Sequence, residues 1–297
     1  MGQIRVGISS WTEPTLIKAG TFYPPEATTA EERLRFYASK FPIVEVDSTF
    51  YAIPNEKTAQ LWVERTPTDF VFHAKAFALL TQHPTPPARL PKAIRENVSG
   101  AKANIYLKDL VPKDQENIWD RFREGLQPLH DAGKLGAILF QFPKWFLPSP
   151  QSYRFMEDLR EWLPDFRIAI EFRQVLWMKE VRRDRVLRFL KDHGFSYVAV
   201  DEPQGFPSSV PPVVGTTAPL AMVRFHGRNR ETWEKKGIST AEKFRYLYSK
   251  EELTPWVPGL RAMAKESQDV HAVMNNCYAD YAVRNAEDLT KLLESGP

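Results

Sequence analysis

Eight short apolar runs are spaced along this chain of 297 residues, and nearly every one ends in a polar or charged residue. In order they are RVGISSW (5–11), IVEVDSTFY (43–51), DFVFHAKA (69–76), LGAILFQFP (135–143), RIAIEFR (167–173), SYVAVDE (196–202), AMVRFHGR (221–228) and DVHAVMNN (269–276). Helical stretches separate them, and strand–helix alternation at this spacing predicts right-handed parallel crossovers rather than separate α and β regions. Eight parallel strands predict an α/β fold of TIM type, a (β/α)8 barrel, with chemistry gathered at the carboxyl ends of the strands. The chain is slightly longer than the roughly 250 residues typical of that fold. No repeat, low-complexity tract or linker interrupts it, so one barrel domain over 1–297 is expected.

The segment 28–41 offers Thr28 or Thr29 as a helix cap, with acids in the first turn and Leu34, Tyr37 and Phe41 on one side. Asn55 caps a helix over 55–66. Further helices are expected over 115–132, 151–163, 179–193, 250–266 and 285–294, the last opening as NAED. Enlarged loops are expected after the third strand, where 77–134 exceeds one helix, after the sixth, where 203–220 is rich in proline, and after the seventh.

Side chains alternate faces along a strand, so the apolar set meets the helices and the other set points into the barrel. In the fifth run Ile168, Ile170 and Phe172 face the helices, leaving Glu171 and Arg173 inward. In the seventh, Val223 and Phe225 leave Arg224, His226 and Arg228 inward. The same reading gives Arg5, Ser9 and Trp11; Glu45, Asp47, Thr49 and Tyr51; His73 and Lys75; Gln141; Asp201; and His271 and Asn275. The second run is less sharply patterned, because Val44, Val46 and Ser48 could trade faces with the other set. Burying unpaired charge costs several kcal/mol, so these groups must pair, reach water or bind something. Arg5, Glu45, His73 and His271 lie deeper and read as buried ion-pair architecture. Asp47, Lys75, Glu171, Arg173, Asp201, Arg224, His226, Arg228 and Asn275 lie near the carboxyl ends and read as ligand-facing.

Lys75, Arg173, Arg224 and Arg228 suit a phosphate or carboxylate, which guanidinium forks bind with paired hydrogen bonds. The formal charge of +3 agrees with an anionic ligand but is weak evidence alone. Asp47, Glu171 and Asp201 are candidate general acids or bases, with His226 able to titrate near neutral pH. The same carboxylates offer a divalent-cation site, which the neighbouring arginines disfavour. No metal and no cofactor is predicted. Trp11, Trp145, Trp177 and Trp233 fall just beyond strand ends, where aromatic walls would stack a ring or pack loops on the rim. The loop GRNRETWEKKG (227–237) adds Arg230, Lys235 and Lys236, or is a solvated turn. Glycine-rich nucleotide fingerprints, HExxH and GxSxG are absent. A single cysteine, Cys277, excludes an internal disulfide. With no apolar run near the roughly 18 residues of a membrane span and no room for a leader before Arg5, a cytoplasmic setting without membrane contact is expected.

In its strand-end pieces the chain resembles the YecE-like family, domain of unknown function 72. These are VGISSW with FYPP (6–11, 22–25), VEVDSTFYAIP (44–54), FVFHAKA (70–76), LFQFP (139–143), IEFR with Trp177, RFHGR (224–228), YLYSKEEL (246–253), and MNN (274–276) followed by NA (285–286). Each is weak alone; their order over nearly the whole chain makes the match specific. The resemblance implies a TIM-type barrel and no established activity. Its matched positions include Trp11, Tyr51, Lys75, Gln141, Glu171, Arg173, Arg224, His226, Arg228, Asn275 and Asn276. Asp47 stands where the family pattern usually has Asn, Gln174 where it commonly has His, and 277–286 lacks a His and a Gly.

Three functions are compatible with these residues. The leading one is an enzyme acting on a small phosphate- or carboxylate-bearing compound, as isomerase, lyase or hydrolase. Lys75, Gln141, Arg173, Arg224, Arg228, Asn275, Asn276, Trp11 and Tyr51 would then contact substrate, with Glu171, Asp201, His226 and Asp47 in proton transfer. The others are a nucleic-acid-binding or phosphodiester-processing barrel, and a non-catalytic ligand-binding protein. The sequence leaves the oligomeric state open.

Overall fold

A computed structural model describes residues 1–98 and 103–295. Its strands are β1 (Gln3–Ser9), β2 (Ile43–Val46), β3 (Val71–Lys75), β4 (Leu135–Gln141), β5 (Ile168–Glu171), β6 (Ser196–Asp201), β7 (Leu220–Phe225) and β8 (Asp269–Met274). Each pairs in parallel with its sequence neighbours, and β8 returns to β1, closing an eight-stranded TIM-type barrel. Closure leaves no sheet edge to protect, and strands covered on both faces explain the near-continuous apolar runs.

Helices fill the crossovers close to the expected places. Thr29 caps Ala30–Ala38 in a capping box with Glu32, and Asn55 caps Glu56–Glu64 through its side chain. The third crossover carries the helix Pro112–Asp131 and several short turns, while 202–219 holds no helix. Two expectations are corrected. The stretch 250–266 divides into Lys250–Leu253 and Trp256–Glu266 at Pro255, which lacks the N–H that would continue the first helix. The last helix is Tyr281–Glu294, beginning a turn before Asn285. Asn285 is buried inside it and caps nothing; its amide bonds both backbone polar groups of Tyr248.

Register decides which side chains enter the barrel. Ser9 lies opposite Glu45, Glu45 opposite His73, Gln141 opposite Glu171, and Arg5 opposite His271. The second strand therefore turns Glu45 inward, with Val44 and Val46 against the helices. Deep in the barrel His73 and His271 bond each other through their rings (2.8 Å), and burial drives both imidazoles toward the neutral form. Arg5 bonds Gln3 and the Asp69 carbonyl and has no part in an ion pair with Glu45. Among the described residues no helix is long and apolar enough to cross a membrane.

Candidate active site

A cavity of about 500 Å³ opens at the carboxyl ends of the strands. Asp47, Lys75, Gln141, Arg173 and Asn275 line it from the ends of β2, β3, β4, β5 and β8. The connecting loops add Phe50, Tyr51, His83, Trp145 and Trp233, with lysines 144, 235, 236 and 243. Beneath this lining sits a closed network centred on Glu171 and Arg224, both without solvent exposure.

Arg224 donates from Nη1 to Glu171 Oε2 (2.5 Å) and from Nη2 to Glu45 Oε1 (2.5 Å), bridging two inward carboxyl groups. Glu171 Oε1 also accepts from Gln141 (2.6 Å), His226 (3.0 Å) and Arg173 (3.3 Å). Burial works to raise the Glu171 carboxyl, but Arg224, His226 and Arg173 together hold it well below the usual range. A carboxylate so saturated is a fixed anion, poorly suited to take up a proton. Asn275 Nδ2 meets His226 Nδ1 at 2.8 Å. With the amide donating there, the His226 proton sits on Nε2 and points at Glu171. Burial pushes the imidazole down to about 3, so it is neutral at pH 7.

Asp47 differs. It faces the cavity and lies 3.5 Å from Lys75, whose ammonium sits over the Phe50 ring. Its Oδ1 and the neighbouring Glu45 Oε2 are buried without a hydrogen-bond partner. Burial raises Glu45, and Asp47 adds to the rise against the pull of Arg224. In Asp47 burial is outweighed by Lys75 and Arg224, which hold it down. Of the two acids the deeper Glu45 therefore takes up a proton more readily, and Asp47 keeps its charge.

Four expected site residues lie elsewhere. Val200 is opposite Arg224 and Asp201 opposite Phe225, so Asp201 is on the helix-facing side. Its oxygens accept from Arg228 at 2.8 and 2.7 Å, from Tyr248 at 2.8 Å and from Trp256 at 2.7 Å. Arg228 leaves the barrel because Gly227 adopts φ +85°, which breaks the alternation. A Cβ there would come within 2.7 Å of Tyr246. Trp11 packs edge-on against Trp62 and Phe72 in the core between strand and helix, not in the cavity. Asn276 is buried and donates to the Tyr246 carbonyl and to Asn285, anchoring the loop before Lys250. Tyr51 lines the cavity but not from a strand: residues Ser48–Tyr51 form a helical turn, fastened by Thr49 donating to the Val46 and Lys75 carbonyls.

Two residues escaped the sequence reading. Glu202, next to Asp201, turns toward Arg173 (3.6 Å) and accepts from the Val210 amide (2.6 Å). Burial lifts its carboxyl to about 8 despite Arg173. Nothing in SYVAVDE signals which acid is inward, because both faces of β6 are apolar. His83 packs against Phe50 and Trp145, and burial followed by the charges of Lys75 and Arg173 pushes it to about 3. Its position follows from the turn Ala78–Thr81, which the Pro-rich sequence did not disclose. Trp233 proves to be a cavity wall, with the Arg173 guanidinium 4.5 Å from its ring centre, while Trp177 is core. Among the described residues no three His, Cys, Asp or Glu side chains are grouped to hold a metal ion.

The protein YunF of Bacillus subtilis is 31% identical over 296 residues, covering 98% of this chain and 95% of YunF. YecE of Escherichia coli K12 is 25% identical over 201 residues, 67% of this chain and 59% of YecE. Crystal structures of DUF72 family proteins from Enterococcus faecalis and Thermotoga maritima superpose with TM-scores of 0.79 and 0.76 at 27% and 28% identity. They cover 99% of this chain, and 97% and 100% of those chains. The family described as protein of unknown function DUF72 matches residues 5–297, and with a near full-length relative at 31% identity the chain belongs to that family.

Proposed function

We propose that this barrel binds a small phosphate- or carboxylate-bearing compound at its mouth and acts on it as an enzyme of the isomerase, lyase or hydrolase type. The observation that carries the reading is the charge of the cavity, lined by six Lys or Arg side chains against two carboxylates. The whole chain has a net charge of only +3, so positive charge is concentrated where a ligand would enter. Lys235, Lys236 and Lys243 have no ion pair among the described residues and are free to meet an anion. Asp47 is the best-placed proton-transfer group, since it borders the cavity beside the raised Glu45 carboxyl. Glu171 and His226 serve as a rigid base that orients Arg173, Gln141 and Asn275.

A thermal-unfolding screen of phosphorylated and carboxylated metabolites tests this. A ligand at 100 times its Kd stabilises the folded state by about 2.7 kcal/mol. Asp47→Asn should keep that stabilisation and lose turnover. No stabilisation by any anionic compound would sink the reading.

Exposed aromatics on the rim, Tyr51 (45%) and Trp145 (49%), favour a second reading as a nucleic-acid binder. It requires oligonucleotide affinity to fall steeply with salt, with a slope set by the phosphates contacted.

A further inference from the structure

Lys243 is a half-buried cation of the mouth with no carboxylate within ion-pair distance among the described residues. Lys75 is matched by Asp47 at 3.5 Å, and Lys144 by Glu234 at 3.8 Å. Lys235 and Lys236 stand exposed on the loop after β7. Lys243 ends the turn Thr240–Lys243, is half-buried in the cavity wall, and has no ion pair among the described residues. Its Nζ lies 5.6 Å from the centre of the Trp233 ring, and Arg173 lies over the same ring at 4.5 Å. Burial, then the like charges of Arg173 and Lys144, make its ammonium easier to deprotonate than a solvated one. A desolvated lysine beside other cations is the setting in which an amine becomes a nucleophile toward carbonyl carbon.

We infer that Lys243 is a covalent site whose amine forms an imine with an aldehyde or ketone that also carries a phosphate or carboxylate. The nitrogen lone pair adds to the carbonyl carbon, and the carbonyl oxygen takes up a proton. The remaining amine proton then passes to that hydroxyl, the C–O bond breaks, and water leaves as the C=N bond forms. Amine and carbonyl become imine and water, with no oxidant or reductant. Lys235, Lys236 and Arg173 would hold the anionic end of the same molecule. This assignment rests on the anion-binding reading and narrows it to carbonyl compounds.

The test treats the whole chain with pyridoxal 5′-phosphate near neutral pH, reduces with borohydride, and maps the modified lysines by mass spectrometry. Lys243 should carry several-fold more label than Lys235 or Lys236. Excess inorganic phosphate should lower that label, and Lys243→Arg should lose it while unfolding at the wild-type temperature. Label spread evenly over the exposed lysines overturns the assignment, and that distribution decides alone if Lys243→Arg does not fold. Stabilisation by phosphate with Lys243 unlabelled removes the imine and keeps the anion pocket. Equal labelling of Lys243 by pyridoxal without phosphate, uncontested by inorganic phosphate, removes the anion pocket and keeps the nucleophilic amine.

Discussion

Two arginines four residues apart, Arg224 on β7 and Arg228 just beyond it, each grip carboxylates, yet they end on opposite sides of the barrel wall. Arg224 is wholly buried between Glu45 and Glu171, directly under the cavity. Arg228 is 37% exposed and closes a knot of Asp201, Tyr248 and Trp256 that binds the last long loop to the wall. The residue types are the same, and the difference comes from the backbone. Up to His226 the strand alternation holds; at Gly227 the chain turns through a left-handed conformation, and the next arginine is delivered outside. Charge identity therefore says little about role in this barrel, and the side of the wall says nearly everything.

The contrast can be broken by mutation. Arg224→Met should show the largest effect, because it strands the buried Glu171 carboxylate and removes a donor from Glu45. The expected loss is about 3–5 kcal/mol in urea denaturation. A loss below that of an exposed pair would mean that water reaches the floor network. Asp201→Ala should come next, at roughly 1.5–3 kcal/mol for losing charge-assisted hydrogen bonds. Its thermal response to anionic ligands should match wild type; a lost response would put the outer knot in the site after all.

The pH dependence sharpens the comparison on the inner side. Glu45 is raised to about 7, so folding favours its protonated form. That stabilisation is complete below the unfolded pKa of about 4.3 and is lost as pH rises toward 7. Glu45→Gln should thus gain on wild type between pH 5 and 8, and parallel stability curves would refute the raised Glu45 carboxyl. His226 and His73, both lowered to about 3, act in the other direction. Their contribution is present above about 6.5 and is lost as pH falls from there toward 3. The smallest effect belongs to Lys235→Ala with Lys236→Ala, within about 0.5 kcal/mol of wild-type stability. The same double variant should bind phosphorylated ligands more weakly by calorimetry; unchanged affinity would remove that loop from the anion pocket.

Much of the site was legible where one strand face was plainly apolar. In RIAIEFR the triplet Ile168, Ile170 and Phe172 leaves one placement for Glu171 and Arg173, and in AMVRFHGR the pair Val223 and Phe225 does the same for Arg224 and His226. Where both faces are apolar, as in SYVAVDE, the pattern is silent, and only the register puts Asp201 on the helix-facing side. Extrapolation past the strand also failed. Trp11, Arg228 and Asn276 follow strand ends by two or three residues, where the period of two need not hold, while Tyr51 reaches the cavity from a helical turn.

What the sequence alone determined was the barrel and its strand order of assembly, because hydrophobic periodicity and crossover handedness are local properties that leave few ways to bury eight runs. What the tertiary structure decided was partnership: that Arg224 answers both Glu45 and Glu171, that Glu45 leans on Asp47, and that Lys243 meets Trp233 unpaired. Those contacts join residues up to 179 positions apart. Their energies depend on register, burial and the surrounding dielectric, which no stretch of sequence contains.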